Sequence, residues 1–120
     1  MAAPMCPRIR PMDTLAQPPS DRLPGPALRE ALAGLPDWSY DDARQALVRH
    51  FRFADFAEAL GFMTEVGLHA ERRNHHPEWS NVYDRVDVAW TSHDARGVTG
   101  RDVAMARVCD QAAAARRLRR

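Results

Sequence analysis

The sequence predicts an α+β fold: a four-stranded antiparallel sheet carrying helices on one face, in the order helix-hairpin-helix-hairpin-helix. Two stretches of period-two alternation supply two strand pairs, and each is followed by a segment of helical spacing with its own capping residues. The strands come in pairs and no strand-helix-strand alternation occurs, so the pairing is antiparallel and the helices share one side. A chain of 120 residues supports one domain with one modest core.

The elements follow in order. Seven of the nine prolines fall between Pro4 and Pro26, where apolar residues show no period, so residues 1–26 are expected to form a disordered or loosely attached extension. The domain is placed at residues 27–115, with an Arg-rich tail at 116–120. Pro26 suits a first helical turn, and Leu28, Ala31, Leu32 and Leu35 then repeat at helical spacing until Gly34 and Pro36 end the segment. From Trp38 to Phe53 the pattern alternates, with Leu47, Phe51 and Phe53 on one face, His50 and Arg52 on the other, and a turn at Asp41-Asp42. Asp55 and Glu58 form a capping pair, after which Phe56, Leu60, Met63, Gly67 and Ala70 make a helical stripe running to about Arg73. Pro77 stops that helix. A second hairpin follows, from Trp79 to Tyr83 and then Val86, Val88 and Trp90, around a turn at Asp84-Arg85. After a turn at Gly97, Thr99 and Asp102 cap a last helix bearing Val103, Ala106, Val108, Cys109 and Ala113.

Charge removes several classes of function. The chain has 17 Arg, no Lys and 16 acids, but residues 27–115 hold ten Arg against fourteen acids while the last five residues hold four Arg. An acidic domain does not offer the clustered cations of a nucleic-acid surface, and the short basic end is expected to be solvated. The lack of Lys rules out Schiff-base and Walker-type phosphate chemistry. No run of about 18 apolar residues is present to span a membrane, and the opening MAAPMCPRIRP has no apolar stretch of the kind a secretory signal needs. Cys6 and Cys109 are too far apart to suggest a disulfide framework, so a cytoplasmic protein is expected.

The chemistry concentrates in the histidines. His75 and His76 lie just before the second hairpin and His93 just after it, and a hairpin brings its two ends together. Three imidazoles are therefore expected to converge, able to divide acid and base roles near neutral pH without a metal or a nucleophile. His50 and His69 are expected on the surface. A zinc site made from these histidines with Glu71 is disfavoured. His69-Ala70-Glu71 matches half of a zinc deaminase signature but no Pro-Cys-x-x-Cys follows, and adjacent His75 and His76 rarely aim at one ion. A triad from Ser80 or Ser92 with His93 and Asp94 lacks the G-x-S-x-G elbow.

The run Glu71-Arg72-Arg73-Asn74-His75-His76-Pro77-Glu78-Trp79-Ser80-Asn81-Val82-Tyr83, then Val86-Asp87-Val88, Thr91-Ser92-His93-Asp94 and Gly97-Val98-Thr99-Gly100-Arg101-Asp102, resembles the pterin-4a-carbinolamine dehydratase family. Phe51-Arg52-Phe53-Ala54-Asp55-Phe56 and Gly61-Phe62-Met63 extend the resemblance, which covers about residues 27–115. It implies dehydration of 4a-hydroxytetrahydropterin, the product of an aromatic amino acid hydroxylase, to quinonoid dihydropterin, with no cofactor or metal. It implies His75 and His93 as acid and base and His76 as a pterin-holding residue. Pro77 and Ser92, His93, Asp94 and Ala95 match the family's substrate-contacting loops. On the same footing Glu71 and Asp94 are expected to orient imidazoles, and Trp79 to offer a flat wall to the pterin. Asp102 is accounted for by its capping role alone. The resemblance also implies a homodimer or homotetramer formed through edge strands and helices. It leaves open a second, non-enzymatic role as a dimerisation or assembly cofactor, but a chain with only that role would be free to lose the histidines kept here.

Overall fold

Two prolines set the start of the first helix. Pro24 is extended and Pro26 sits in the first turn of α1 (Gly25–Ala33), where its missing N–H costs nothing. The computed structural model describes residues 21–118, so most of the Pro-rich extension, together with Cys6, Arg119 and Arg120, lies outside the described residues. After α1 the chain runs through β1 (Ser39–Asp41), β2 (Ala46–Arg52), α2 (Phe56–Arg73), β3 (Glu78–Val82), β4 (Arg85–Trp90), a single 3₁₀ turn at His93–Ala95, and α3 (Gly100–Ala114). The four strands form one antiparallel sheet in the order β1-β2-β4-β3. This is the predicted α+β architecture.

Register decides which side chains face the helices. Leu47 lies opposite Trp90, Arg49 opposite Val88 and Phe51 opposite Val86, and all of these but Arg49 are buried. The intervening rows, including His50 opposite Asp87 and Arg52 opposite Arg85, point to the other side. Phe62 of α2 packs at a tilt against both Phe51 and Phe53, with ring centroids 4.7 and 4.9 Å away, and its burial contributes about 2 kcal/mol. Among the described residues no helix is long and apolar enough to cross a membrane.

Two local details differ from the sequence expectation. The buried residues of α2 are Ala59, Phe62, Val66 and Ala70, whereas Phe56 and Leu60 are 44% and 50% exposed and Gly67 has open space beside it. Of the stripe read from spacing, Ala70 alone is fully buried and Met63 packs at the core's edge. The helix carries two apolar stripes, and the aromatic rings of β2 bury the one containing Phe62. The second difference is in the turns. Asp42–Gln45 and Tyr83-Asp84 connect the strands, with Gln45 and Tyr83 at φ near 53° and 52°. Asn81 Nδ2 donates to the carbonyls of Tyr83 and Arg85, which holds the second turn closed.

Both chain ends of the described region are anchored. Leu23 N donates to Val98 O at 2.8 Å, and Ala54 N donates to Arg117 O at 3.0 Å. Arg116 pairs with Glu65 at 3.2 Å and Arg117 with Glu58 at 3.1 Å and Asp55 at 3.4 Å. The acids of α2 and its cap thus draw Arg116 onto the helix, while Arg117 reaches them with a side chain that stays 70% exposed. Cys109, buried in α3, accepts from Trp90 Nε1 at 3.4 Å, and burial pushes its thiol up to about 12. The side chain, fully buried against Trp90, packs as part of the core.

Candidate active site

Two local devices place the three histidines. His75 follows the end of α2, where Asn74 takes a left-handed conformation at φ 51°, and His75 N donates back to Ala70 O at 3.0 Å. Asn tolerates that backbone better than most residues with a Cβ. The turn aims the His75 ring inward, where it stacks on Trp90 with centroids 5.6 Å apart. His76, next along, is exposed. His93 sits on the 3₁₀ turn, in a loop closed by reciprocal bonds between Ser92 and Gly97 at 3.0 and 3.2 Å. Glycine suits position 97 because its φ of 158° is a conformation that residues with a side chain rarely adopt, and a Cβ there would also push aside the Arg22 side chain, whose Cδ would stand 2.5 Å away.

Each imidazole meets its own carboxylate through Nε2. His75 contacts Asp102 Oδ1 at 2.5 Å, His76 contacts Glu71 Oε1 at 2.9 Å, and His93 contacts Glu78 Oε2 at 2.7 Å. An ionised carboxylate only accepts hydrogen bonds, so Nε2 carries the hydrogen, and a ring in its neutral form then presents its Nδ1 lone pair. Such a ring is prepared to take or return a proton at Nδ1. Among the described residues no three His, Cys, Asp or Glu side chains are placed to share a metal ion.

Burial grades the three sites: the His75 side chain is 10% exposed, His76 54% and His93 82%. Asp102 is fully buried and works twice. Its Oδ2 accepts Thr99 N at 2.8 Å as the cap of α3 and Ser92 Oγ at 2.7 Å, while Oδ1 holds His75. Through Ser92 the carboxylate ties the His93 loop to His75, and through Glu78 the loop is tied to the strand that begins two residues after His76. The two hairpin ends are therefore joined, as the spacing of the histidines predicts.

The remaining expected site residues divide. Glu71 meets an imidazole as expected. Asp94 does not: its carboxylate accepts from Arg101 Nη2 at 2.8 Å, and that guanidinium holds its carboxyl below the usual carboxylate range. Ser92 is buried with its hydroxyl turned inward to Asp102. Pro77 and Ala95 are half-buried beside His76 and His93. Trp79 packs partly against the core on the inner face of β3, and it is Trp90 that gives a flat surface to His75. Spacing did not single out Asp102, Glu78 or Trp90. The one available signal was chemical: a cap uses a single oxygen of Asp102, which leaves the other for a donor.

The family model for pterin 4 alpha carbinolamine dehydratase matches residues 21–112. The chain belongs to that family. A Rhizorhabdus wittichii protein assigned the name pterin-4-alpha-carbinolamine dehydratase is 60% identical over 77 residues, covering 64% of this chain and 79% of the relative. A Rhizobium etli protein assigned the same name is 51% identical over 100 residues, covering 83% of this chain and 98% of the relative. A crystal structure from Brucella melitensis, described as a transcriptional coactivator/pterin dehydratase, superposes with a TM-score of 0.76 at 45% identity. It is matched over 78% of this chain and 99% of its own. The carbinolamine dehydratase fold thus extends over α1 to α3, and all three histidines and Asp102 lie inside the matched residues.

Proposed function

We propose that this chain dehydrates a 4a-hydroxytetrahydropterin to the quinonoid dihydropterin, using histidines as proton carriers. The observation that carries it is the set of three imidazoles, each on its own carboxylate, at two joined hairpin ends. The reaction loses water: the N5–H bond gives its proton to a base, the C4a–O bond breaks, and the departing oxygen takes a proton from an acid. Two such groups are enough, with no change of oxidation state. His75 and His93 take these two parts, and His76 with Pro77 and the backbone of Ser92 to Ala95 holds the pterin. Supply of the carbinolamine by an aromatic amino acid hydroxylase in the cytoplasm would make the chain a recycling enzyme for a tetrahydropterin cofactor. The test is the loss of 4a-hydroxytetrahydropterin absorbance after rapid mixing. Wild type is expected to accelerate it and His75→Ala to lose most of that acceleration, whereas equal rates with and without wild-type protein would reject the reading.

Self-association is proposed through α2. Phe56, Leu60 and Leu68 on its outer side are 44, 50 and 65% exposed, a concentration of apolar surface that a partner copy would cover. Leu60→Glu with Leu68→Glu is expected to lower the solution mass by light scattering without changing the circular dichroism spectrum. An unchanged oligomer would place the contact elsewhere. A purely binding role is less well supported, because it makes no use of the three His–carboxylate pairs.

A further inference from the structure

His93 is the most exposed of the three imidazoles, yet a proton-transfer group must keep its aim. Its side chain is 82% exposed, so packing cannot fix the ring, and the hydrogen bond that orients it is the one from Nε2 to Glu78 Oε2 at 2.7 Å. Asp94, the neighbouring carboxylate, is committed to Arg101 and does not compete. Glu78 is itself restrained at both oxygens. As the first residue of β3 it lies opposite Ala89 in the sheet, and its Oε1 accepts from Arg44 Nη2 at 3.3 Å. Arg44 belongs to the β1–β2 turn, where its backbone N–H donates to Asp41 Oδ1 at 3.2 Å. The β1–β2 turn, which adjoins the C-terminal end of β4 where Thr91 Oγ1 donates to Gln45 O at 2.8 Å, is thereby linked through two side chains to the loop that follows β4.

We infer that Glu78, steadied by Arg44, is the positioning residue for His93: it holds the proton on Nε2 and turns Nδ1 toward the pterin. This rests on the proton-transfer role proposed for His93. Both members of the Arg44–Glu78 pair are about half exposed, so the pair contributes little to stability and its value lies in geometry. A misaimed proton carrier slows the chemical step without weakening substrate binding, which separates this role from direct contact with the substrate.

The experiment compares Glu78→Ala, Glu78→Gln and Arg44→Ala in the dehydration assay, with thermal unfolding and ¹⁵N spectra of the histidine rings. Glu78→Ala is expected to lower kcat about tenfold with KM unchanged, and Arg44→Ala to lower it about twofold to threefold. Glu78→Gln is expected to recover most of the rate, because the amide oxygen still accepts the Nε2 hydrogen. Melting temperatures should not move. The ¹⁵N signals of neutral His93 should change from one fixed tautomer in wild type to an exchanging pair in Glu78→Ala. A rise in KM at constant kcat, failure of Gln to rescue, or an unchanged His93 spectrum would overturn the proposal. The tautomer measurement does not depend on turnover. A changed spectrum with unchanged rates would therefore reject catalysis by His93 and with it the positioning role, while leaving the contact itself established.

Discussion

Asp102→Ala is expected to lose about 3–5 kcal/mol of stability together with nearly all dehydratase activity. The carboxylate is fully buried and accepts from three groups that have no water to turn to: His75 Nε2, Ser92 Oγ and Thr99 N. Removing it strands His75 Nε2 and Thr99 N and leaves Ser92 Oγ with Thr99 Oγ1 as its remaining partner at 3.0 Å, and each buried donor left without a partner costs about 1–3 kcal/mol. Set against a typical total of about 5–15 kcal/mol for a domain, this is a large fraction. Activity falls for a separate reason. Without Asp102 the buried imidazole has no charge to fix its tautomer, and the Ser92 tether that holds the neighbouring His93 loop is released. Asp102→Asn separates the two effects, because it keeps the volume and the acceptor oxygen but replaces the other oxygen with a competing donor. Chemical denaturation should show the smaller loss for Asn, about 2 kcal/mol, while its turnover still falls about 10²-fold. If Asn retained wild-type turnover, the carboxylate would be a helix cap and nothing more.

His93→Ala should separate chemistry from folding in the opposite way. The ring is largely exposed and its partner Glu78 is partly exposed, so the melting temperature should stay within about a degree of wild type. Turnover should nevertheless fall about 10²-fold, the usual worth of one positioned acid or base. KM should change little if His76 and the loop backbone carry the binding. A variant with normal turnover would remove His93 from the proton-transfer pair and leave His75 as the remaining candidate. The pairing of these two substitutions is informative because Asp102 and His93 lie at opposite extremes of burial within one site.

Asp94 sharpens the contrast between the acids. It carries the same charge as Asp102 and sits beside His93 in sequence, yet Arg101 holds it as a surface ion pair, ionised to lower pH than a free carboxylate. Acidification would therefore protonate Asp94 late. Any contribution it makes to stability is complete above the usual carboxylate range and is lost only as pH falls through its lowered value.

Much of this was legible because it is local. Alternation at period two, helical spacing, and the Asp55–Glu58 and Thr99–Asp102 caps are written within a few residues, and they determined the element order and the layered antiparallel fold. The hairpin between His76 and His93 is short, so the meeting of its two ends was also contained in the sequence. What spacing could not choose was decided by packing between distant segments. On α2 two apolar stripes compete at almost the same period, and the rings of Phe51 and Phe53, set by β2, bury the stripe of Phe62 and leave Phe56 and Leu60 outside. The partner of each histidine was decided in the same way. Asp94 stands next to His93 and is turned away from it, while Glu78, fifteen residues earlier, and Asp102, 27 residues after His75, reach the imidazoles. A hydrogen bond requires its atoms to come within about 3 Å, and proximity along the chain does not ensure that when a strand or a turn aims neighbouring side chains to opposite sides. The sequence by itself determined which elements form and that the two ends of the second hairpin come together. Only the folded arrangement assigned each histidine its acid.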